Sequence, residues 1–280
     1  MTRHEALAEG RNMLPLHVTD TPELDASLLL AHACSTDRAR LYMELKEEMR
    51  ESEHLSYRQM LNRRREGEPA AWITGLKEFW GLNFHIGPGV FCPRPDSEIV
   101  VETALDFMPP SSEGRLHDCC CGPGTLAAPL AVERPSWRIF ASDISEIAGE
   151  YCRRNNRSLC GGRICFTQTH LLDGIEGPFD VIVANPPYLT GNEVDRGLRL
   201  GWKEPDIALD GGGEDGLNLI RGLIPQAAER LRLNGVLILE ADPSQMAVIR
   251  QILSENDFRS IAIRQDLGGR DRVIYGSKRP

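Results

Sequence analysis

From residue 115 onward one texture repeats: a short apolar run, then a polar stretch of helical character. The runs "RLHDCCC", "RIFASD", "ICFTQT", "FDVIVANPP" and "GVLILEAD" are strand-sized, and the segments between the first of them are long enough to carry crossovers. Strands joined in this way lie parallel, and a parallel sheet needs helices on both faces to cover its apolar side chains. The spacing therefore predicts an α/β fold with a mostly parallel, doubly wound sheet, preceded by a helix over "DSEIVVETALDFM" from about 96. The last two runs, "FRSIAIRQD" and "DRVIYG", stand close enough in sequence to pair antiparallel and close one edge.

The first 66 residues read as helices. Thr21 stands as an N-cap with Pro22 at the first helical position, Leu24, Leu28 and Ala31 recur at helical spacing, and a second amphipathic stretch runs from about Leu55 to Glu66. "GEP" at 67–69 breaks the pattern, and "EFWGLNFHIGPGVFCP" at 78–93 reads as two short strands turned by Gly87, Pro88 and Gly89. With 280 residues the chain exceeds one ordinary domain, and the expected division is a helical domain at 1–75, a linking hairpin at 76–95 and the α/β domain at 96–280.

Composition removes several function classes. No run approaches the about 18 apolar residues of a membrane span, and "MTRHEALAEG" lacks the apolar core of a secretory leader, so a cytoplasmic protein is expected. A net charge of −9 is the opposite of the footprint that displaces counterions from a phosphate backbone, which argues against direct nucleic-acid binding. The one compact basic run, Arg63 to Arg65, reads as a solvated helix face. Eight scattered cysteines are too few for a disulfide scaffold and are expected as free thiols.

Two stretches carry the chemistry. In a doubly wound sheet the turn after the first strand opens on the ligand crevice, and there the chain reads Asp118, Cys119, Cys120, Cys121, Gly122, Pro123, Gly124. The glycines let backbone approach a ligand, and Asp143, closing the second strand, stands where a carboxylate meets ribose hydroxyls, with a helix N-cap as its alternative role. Metal or redox use is the alternative for the cysteines. Successive strand residues point to opposite faces, so three cysteines in a row are poorly placed to share a zinc, and no metal is expected.

The second stretch is "FDVIVANPPY". Asn185 and Pro186 each precede a proline and are held extended, which fixes the directions of their oxygens. The Asn185 side-chain oxygen and the Pro186 carbonyl are placed to accept both hydrogens of a planar NH2 group, and Tyr188 offers a ring to stack on it. An amide nitrogen is a poor nucleophile; accepting its hydrogens, orienting it and excluding water is a way to use one without a strong base. The alternative is a strand-ending turn or a polyproline ligand.

These stretches resemble the class I S-adenosylmethionine-dependent methyltransferases, and within them the HemK/PrmC group, the peptide chain release factor glutamine methyltransferases. The resemblance spans nearly the whole chain: "GEPAAWITGLKEFWGL" at 67–82, "PRPDSE" at 93–98, "NPPY" at 185–188, "EPDIALDGGGEDGL" at 204–217 and "GGRDRVIYG" at the end. It implies a Rossmann-like seven-stranded methyltransferase domain, S-adenosylmethionine as cofactor with S-adenosylhomocysteine as product, and methyl transfer to the amide nitrogen of the glutamine in the Gly-Gly-Gln motif of release factors. By position it implies that Cys120, Cys121, Gly122, Pro123, Gly124 and Asp143 bind the cofactor and that Asn185 lies between cofactor and substrate. It implies further that Asn185 and Pro186 take the amide hydrogens, with Pro187 and Tyr188 shaping the glutamine pocket. Three departures stand out: the cysteines and Pro123 replace the family's Asp-Leu-Gly-Thr-Gly-Ser-Gly, His170 and Leu171 occupy a place often acidic, and "EADPSQ" replaces a usual Glu-x-Gly. Two other readings remain: methylation of adenine or another nucleic-acid amino group, and a non-catalytic binding protein on the same scaffold.

Overall fold

A computed structural model describes residues 1–279. Its helices and strands run α1 (Arg3–Met13), α2 (Pro22–Ala33), α3 (Arg38–Met43), α4 (Glu51–Arg65), α5 (Ala70–Thr74), β1 (Leu76–Phe79), β2 (Leu82–His85), α6 (Glu98–Asp106), β3 (Arg115–Cys119), α7 (Ala127–Glu133), β4 (Arg138–Asp143), α8 (Glu146–Cys160), β5 (Ile164–Gln168) and β6 (Phe179–Ala184). They continue with α9 (Gly191–Arg199), α10 (Asn218–Arg230), β7 (Leu231–Glu240), α11 (Met246–Glu255), β8 (Phe258–Gln265) and β9 (Asp271–Lys278). By contact the chain forms two compact units, Met1–Leu76 with Asp195–Lys203, and Lys77–Val194 with Glu204–Pro280. Among the described residues no helix is long and apolar enough to cross a membrane.

The first unit has its own core, built from Leu7, Leu29, Leu30, Leu41, Tyr57 and Leu61. Gly10 admits the close contact of α1 with α4, since a Cβ there would lie 1.8 Å from the Tyr57 hydroxyl. Thr21 does precede α2 with Pro22 at its first position, although its side chain makes no capping bond. The second helical stretch begins at Glu51, ahead of the expected Leu55, because the Glu53 carboxylate caps its first turn, accepting from the Arg50 N–H at 2.8 Å and from the Arg50 guanidinium.

In the second unit seven strands form one sheet in the order β5-β4-β3-β6-β7-β9-β8. β3 through β7 are parallel, and β9 is antiparallel to both β7 and β8, as the final two runs implied. Strand order reverses between β3 and β6, the place where open α/β sheets bind ligands beyond their strand ends. On one face Ile182, Leu237, Leu239 and Ile274 pack with Leu223, Ile224, Ile249 and Leu253 of the covering helices, all buried.

A two-stranded hairpin is present in this region, but its turn is not at Gly87, Pro88 and Gly89. β1 and β2 are joined through Trp80 and Gly81, both left-handed with φ of 54° and 68°, the conformation that a tight two-residue hairpin requires. Glu78 supports the turn by accepting from the Gly81 N–H at 2.7 Å. Gly87 serves the packing instead. A Cβ there would lie 2.0 Å from the Tyr151 hydroxyl, so the missing side chain lets the segment lie against α8.

Candidate active site

The sheet register gathers the site. Cys119 is level with Ser142 on β4 and with Ala184 on β6, while Ala184 is level with Leu239 on β7. One residue further along each strand, Asp143, Cys120, Asn185 and Glu240 therefore stand in a row at the carboxyl end of the sheet. The two stretches singled out from sequence meet on neighbouring strands at the reversal of strand order.

On the β3 side the strand stops at Cys119, and Cys120 adopts φ of 59°. That left-handed conformation is natural for glycine and strained for cysteine by about 1–2 kcal/mol. Gly122 and Gly124 are left-handed too, at 54° and 86°. The Asp143 carboxylate anchors the turn: it accepts from the Gly122 N–H at 2.8 Å and from the Ser145 N–H at 2.9 Å. Asp143 is therefore not the cap of α8, a role taken by Ser145, whose hydroxyl accepts from the Ala148 N–H at 3.2 Å. Pro123 is held through its carbonyl, which accepts from the buried Asn155 amide at 3.0 Å. The same Asn155 side chain exchanges two hydrogen bonds with the main chain of His85.

The cysteines belong to the packing of this turn. Cys119 is buried in the core, with its sulfur 3.9 Å from that of Cys120. Contact with Cys119 and burial push the Cys120 thiol up, and burial pushes the Cys121 thiol up, so the thiolate needed by a metal or redox site is disfavoured. His170 is half-exposed, with Nδ1 3.6 Å from the Asp173 carboxylate.

Among the described residues, two carboxyl groups on this side lack a cationic partner. Asp118 is fully buried; one oxygen accepts from the Ala127 N–H at 2.9 Å and the other has no partner. Burial pushes the Asp118 pKa well above the usual carboxylate range, and burial also raises that of Asp143. A cationic ligand bearing hydroxyl and amino donors meets this need, and S-adenosylmethionine has a sulfonium, an ammonium and ribose hydroxyls. The residues present thus fit that cofactor. Beside them His117, buried and bound to Ser142 at 2.8 Å, is driven by burial down to about 3 and stays neutral.

On the β6 side, Asn185 donates through Nδ2 to the hydroxyl of Ser97 at 3.1 Å. With its amino group engaged there, its oxygen remains as an acceptor, and the Pro186 carbonyl takes none of the loop and turn hydrogen bonds among the described residues. Pro187 lies against the next motif, where a Cβ on Gly211 would sit 2.8 Å from its carbonyl. Tyr188 packs on the core and donates to Glu240 at 3.3 Å. Its carbonyl accepts from Gln245 at 2.8 Å, and Gln245 also holds the Asp215 carbonyl at 2.8 Å.

Most of the motifs quoted from the sequence contact this corner or its neighbours. Within "PRPDSE", Arg94 pairs with Glu204, Asp96 lies 3.0 Å from Arg270 and 3.4 Å from Arg272, and Ser97 holds Asn185. The 204–217 segment folds against the corner, pairing Leu189 with Asp210 and placing Gly216 where a Cβ would lie 2.2 Å from the Tyr188 carbonyl. Sequence reasoning did not single out Ser97, Glu240 or Gln245. All three sat inside quoted stretches, Gln245 as the end of "EADPSQ", but only the fold shows what they touch.

Comparison with known proteins identifies the family. Residues 5–75 match the family model of the PrmC N-terminal domain, and residues 81–200 that of the methyltransferase small domain. The chain is 36% identical to the release factor glutamine methyltransferase of Moorella thermoacetica over 100% of its own length and 99% of that protein's. It is 38% identical to that of Neisseria gonorrhoeae, over 93% and 95% of the two chains. A methyltransferase structure from Pyrococcus furiosus, 18% identical, superposes with a TM-score of 0.55 over 72% of this chain and 91% of that one, a likeness of fold alone. By full-length similarity, the chain belongs to the release factor glutamine methyltransferase family.

Proposed function

We infer that this protein methylates the side-chain amide nitrogen of the glutamine in the Gly-Gly-Gln motif of peptide chain release factors, using S-adenosylmethionine. The observation that carries the reading is the orientation of Asn185: its Nδ2 is engaged by Ser97, which leaves two acceptors, Asn185 Oδ1 and the Pro186 carbonyl, for the two hydrogens of a planar amide. When bound, the cofactor supplies a methyl group on a positively charged sulfur. Asp143 would hold its ribose, the 120–124 turn would line its methionine portion, and Asp118 would balance its charge.

The residues of the corner then divide the work. Asn185 and Pro186 grip the amide and set its plane; Tyr188 stacks on it; Pro187 closes the pocket; the buried surroundings exclude water. Holding both hydrogens by acceptors raises electron density on nitrogen and stabilises the positive charge that grows there during transfer. The helical region at 1–75 would dock the protein substrate, and a release factor substrate places the enzyme in the cytoplasm.

The test is methyl transfer from labelled S-adenosylmethionine to a purified release factor, to its variant with alanine in place of the Gly-Gly-Gln glutamine, and to DNA and RNA. Labelling of the first alone supports the reading. Equal labelling of the alanine variant refutes it, and labelling of nucleic acid instead assigns the chemistry to a base amino group. Absence of cofactor binding by calorimetry would return the scaffold to a binding role.

A further inference from the structure

Glu240 has no role in the chemistry just described, yet it is buried at 3% exposure beside the reacting corner, with one carboxyl oxygen lacking any hydrogen-bond partner among the described residues. Its other oxygen accepts from Tyr188 at 3.3 Å. The Ser97 hydroxyl faces the same carboxyl, outside a formed hydrogen bond in this conformation but close enough to favour its charged form. Ser97 is itself unusual. It occupies the N-cap of α6, where a serine side chain ordinarily accepts from the helix backbone, and it makes no such bond. Its oxygen accepts from Asn185 instead.

The chain of donors has a direction. Asn185 spends an N–H on Ser97 Oγ, so the single hydroxyl hydrogen of Ser97 must point elsewhere, and an ionised carboxylate is an acceptor only. We propose that Glu240, acting through Ser97 and Tyr188, is a positioning residue that fixes both ends of the corner and keeps the Asn185 amide turned with its oxygen toward the substrate. This rests on the methyl-transfer reading above. A protonated or amidated Glu240 can donate to Ser97 Oγ and compete with Asn185; it also offers one oxygen where two hydroxyls need an acceptor. Asn185 is then free to turn its amino group toward the substrate, which needs acceptors.

The charged surroundings act in opposite senses. Arg272 from β9 favours the charged form of Glu240 and Asp96 before α6 opposes it, while Arg272 itself lies 3.4 Å from Asp96 and 3.5 Å from Asp266. Burial raises the Glu240 carboxyl from 4.5 to about 7, so kcat should rise with pH through about 7 as the carboxylate forms. Stability runs the other way. The folded state binds the extra proton between about 4.5 and about 7, so this group's contribution falls as pH rises through that window.

The experiment measures kcat, cofactor affinity and Tm for the full-length wild type, Glu240→Gln, Ser97→Ala and the double variant, with a release factor as substrate, from pH 6 to 9. We expect each single variant to lower kcat on the order of ten- to a hundredfold, with cofactor affinity unchanged. The double variant should be little worse than the weaker single, because both act through one chain. At pH 8 Glu240→Gln should match or exceed the wild-type Tm, and its kcat should lose the rise near pH 7. A Glu240→Gln enzyme with wild-type kcat and the same acid limb overturns the proposal, as does a kcat loss accompanied by a lower Tm and weaker cofactor binding, or losses that multiply in the double variant. If Glu240→Gln does not fold, Ser97→Ala and the wild-type pH profile decide. A wild type silent on every release factor sinks the function reading and this proposal together; an active wild type with unaffected variants sinks this proposal alone.

Discussion

The two turns that meet at the reversal of strand order are built in opposite ways. At 118–125 the backbone is bent by left-handed residues and tied by Asp143 and Asn155, and it carries a cysteine in a conformation suited to glycine. At 185–188 no residue is left-handed; the prolines stiffen the chain, and side chains from two distant segments, Ser97 from one and Glu240 and Gln245 from the other, hold the corner. On the proposed function, the first turn would receive a ligand through main-chain shape, which several sequences can supply. The second would aim two oxygens at a reacting atom, where small displacements act on rate directly.

This contrast can be broken by substitution. The largest effect is expected for Asn185→Ala, which removes one acceptor from the reacting amide: kcat should fall roughly a hundred- to a thousandfold with cofactor affinity intact, measured by single turnover and calorimetry. Near-normal turnover would remove Asn185 from the mechanism. Next, Gly216→Ala puts a Cβ 2.2 Å from the Tyr188 carbonyl at a φ of 72°, whereas Gly122→Ala at 54° meets nothing within 4 Å. Denaturant unfolding should show a loss of about 2–4 kcal/mol for the former and about 1 kcal/mol for the latter. Equal losses would erase the difference drawn between the turns.

Asp143→Ala should weaken cofactor binding by about tenfold to a hundredfold, since a charge-assisted hydrogen bond contributes about 1.5–3 kcal/mol, and should leave kcat at saturation nearly unchanged. A collapse of kcat with unaltered affinity would shift Asp143 from the ligand side to the chemistry. The smallest effect belongs to Cys120→Gly. Relief of the left-handed strain is offset by lost packing and greater chain entropy, so stability should stay within about 1 kcal/mol and cofactor affinity should hold or improve. Loss of a bound metal on that substitution would contradict the packing role of the cysteines.

The parallel sheet was legible because "RIFASD" and "FDVIVA" are apolar runs of strand length and their spacing dictates crossovers. The hairpin turn was not, because Gly87, Pro88 and Gly89 carry a stronger local turn signal than Trp80 and Gly81, while the actual use of Gly87, clearance for Tyr151, lies in tertiary structure. The site divides in the same manner. Asn185 to Tyr188 announce themselves through proline chemistry, which is local. Glu240 is far from Ser97 along the chain and reads as the polar end of an apolar strand; only the level of Leu239 with Ala184 places it beside the corner.

Asn155 leaves the connecting segment no slack. One interior side chain satisfies the N–H and carbonyl of His85 and the carbonyl of Pro123, so prising the end of β2 from the first crossover would strand several polar groups away from water at about 1–3 kcal/mol each. The end of β2 and the turn after β3 are thereby one mechanical part, and whatever stiffens that turn is felt along the hairpin.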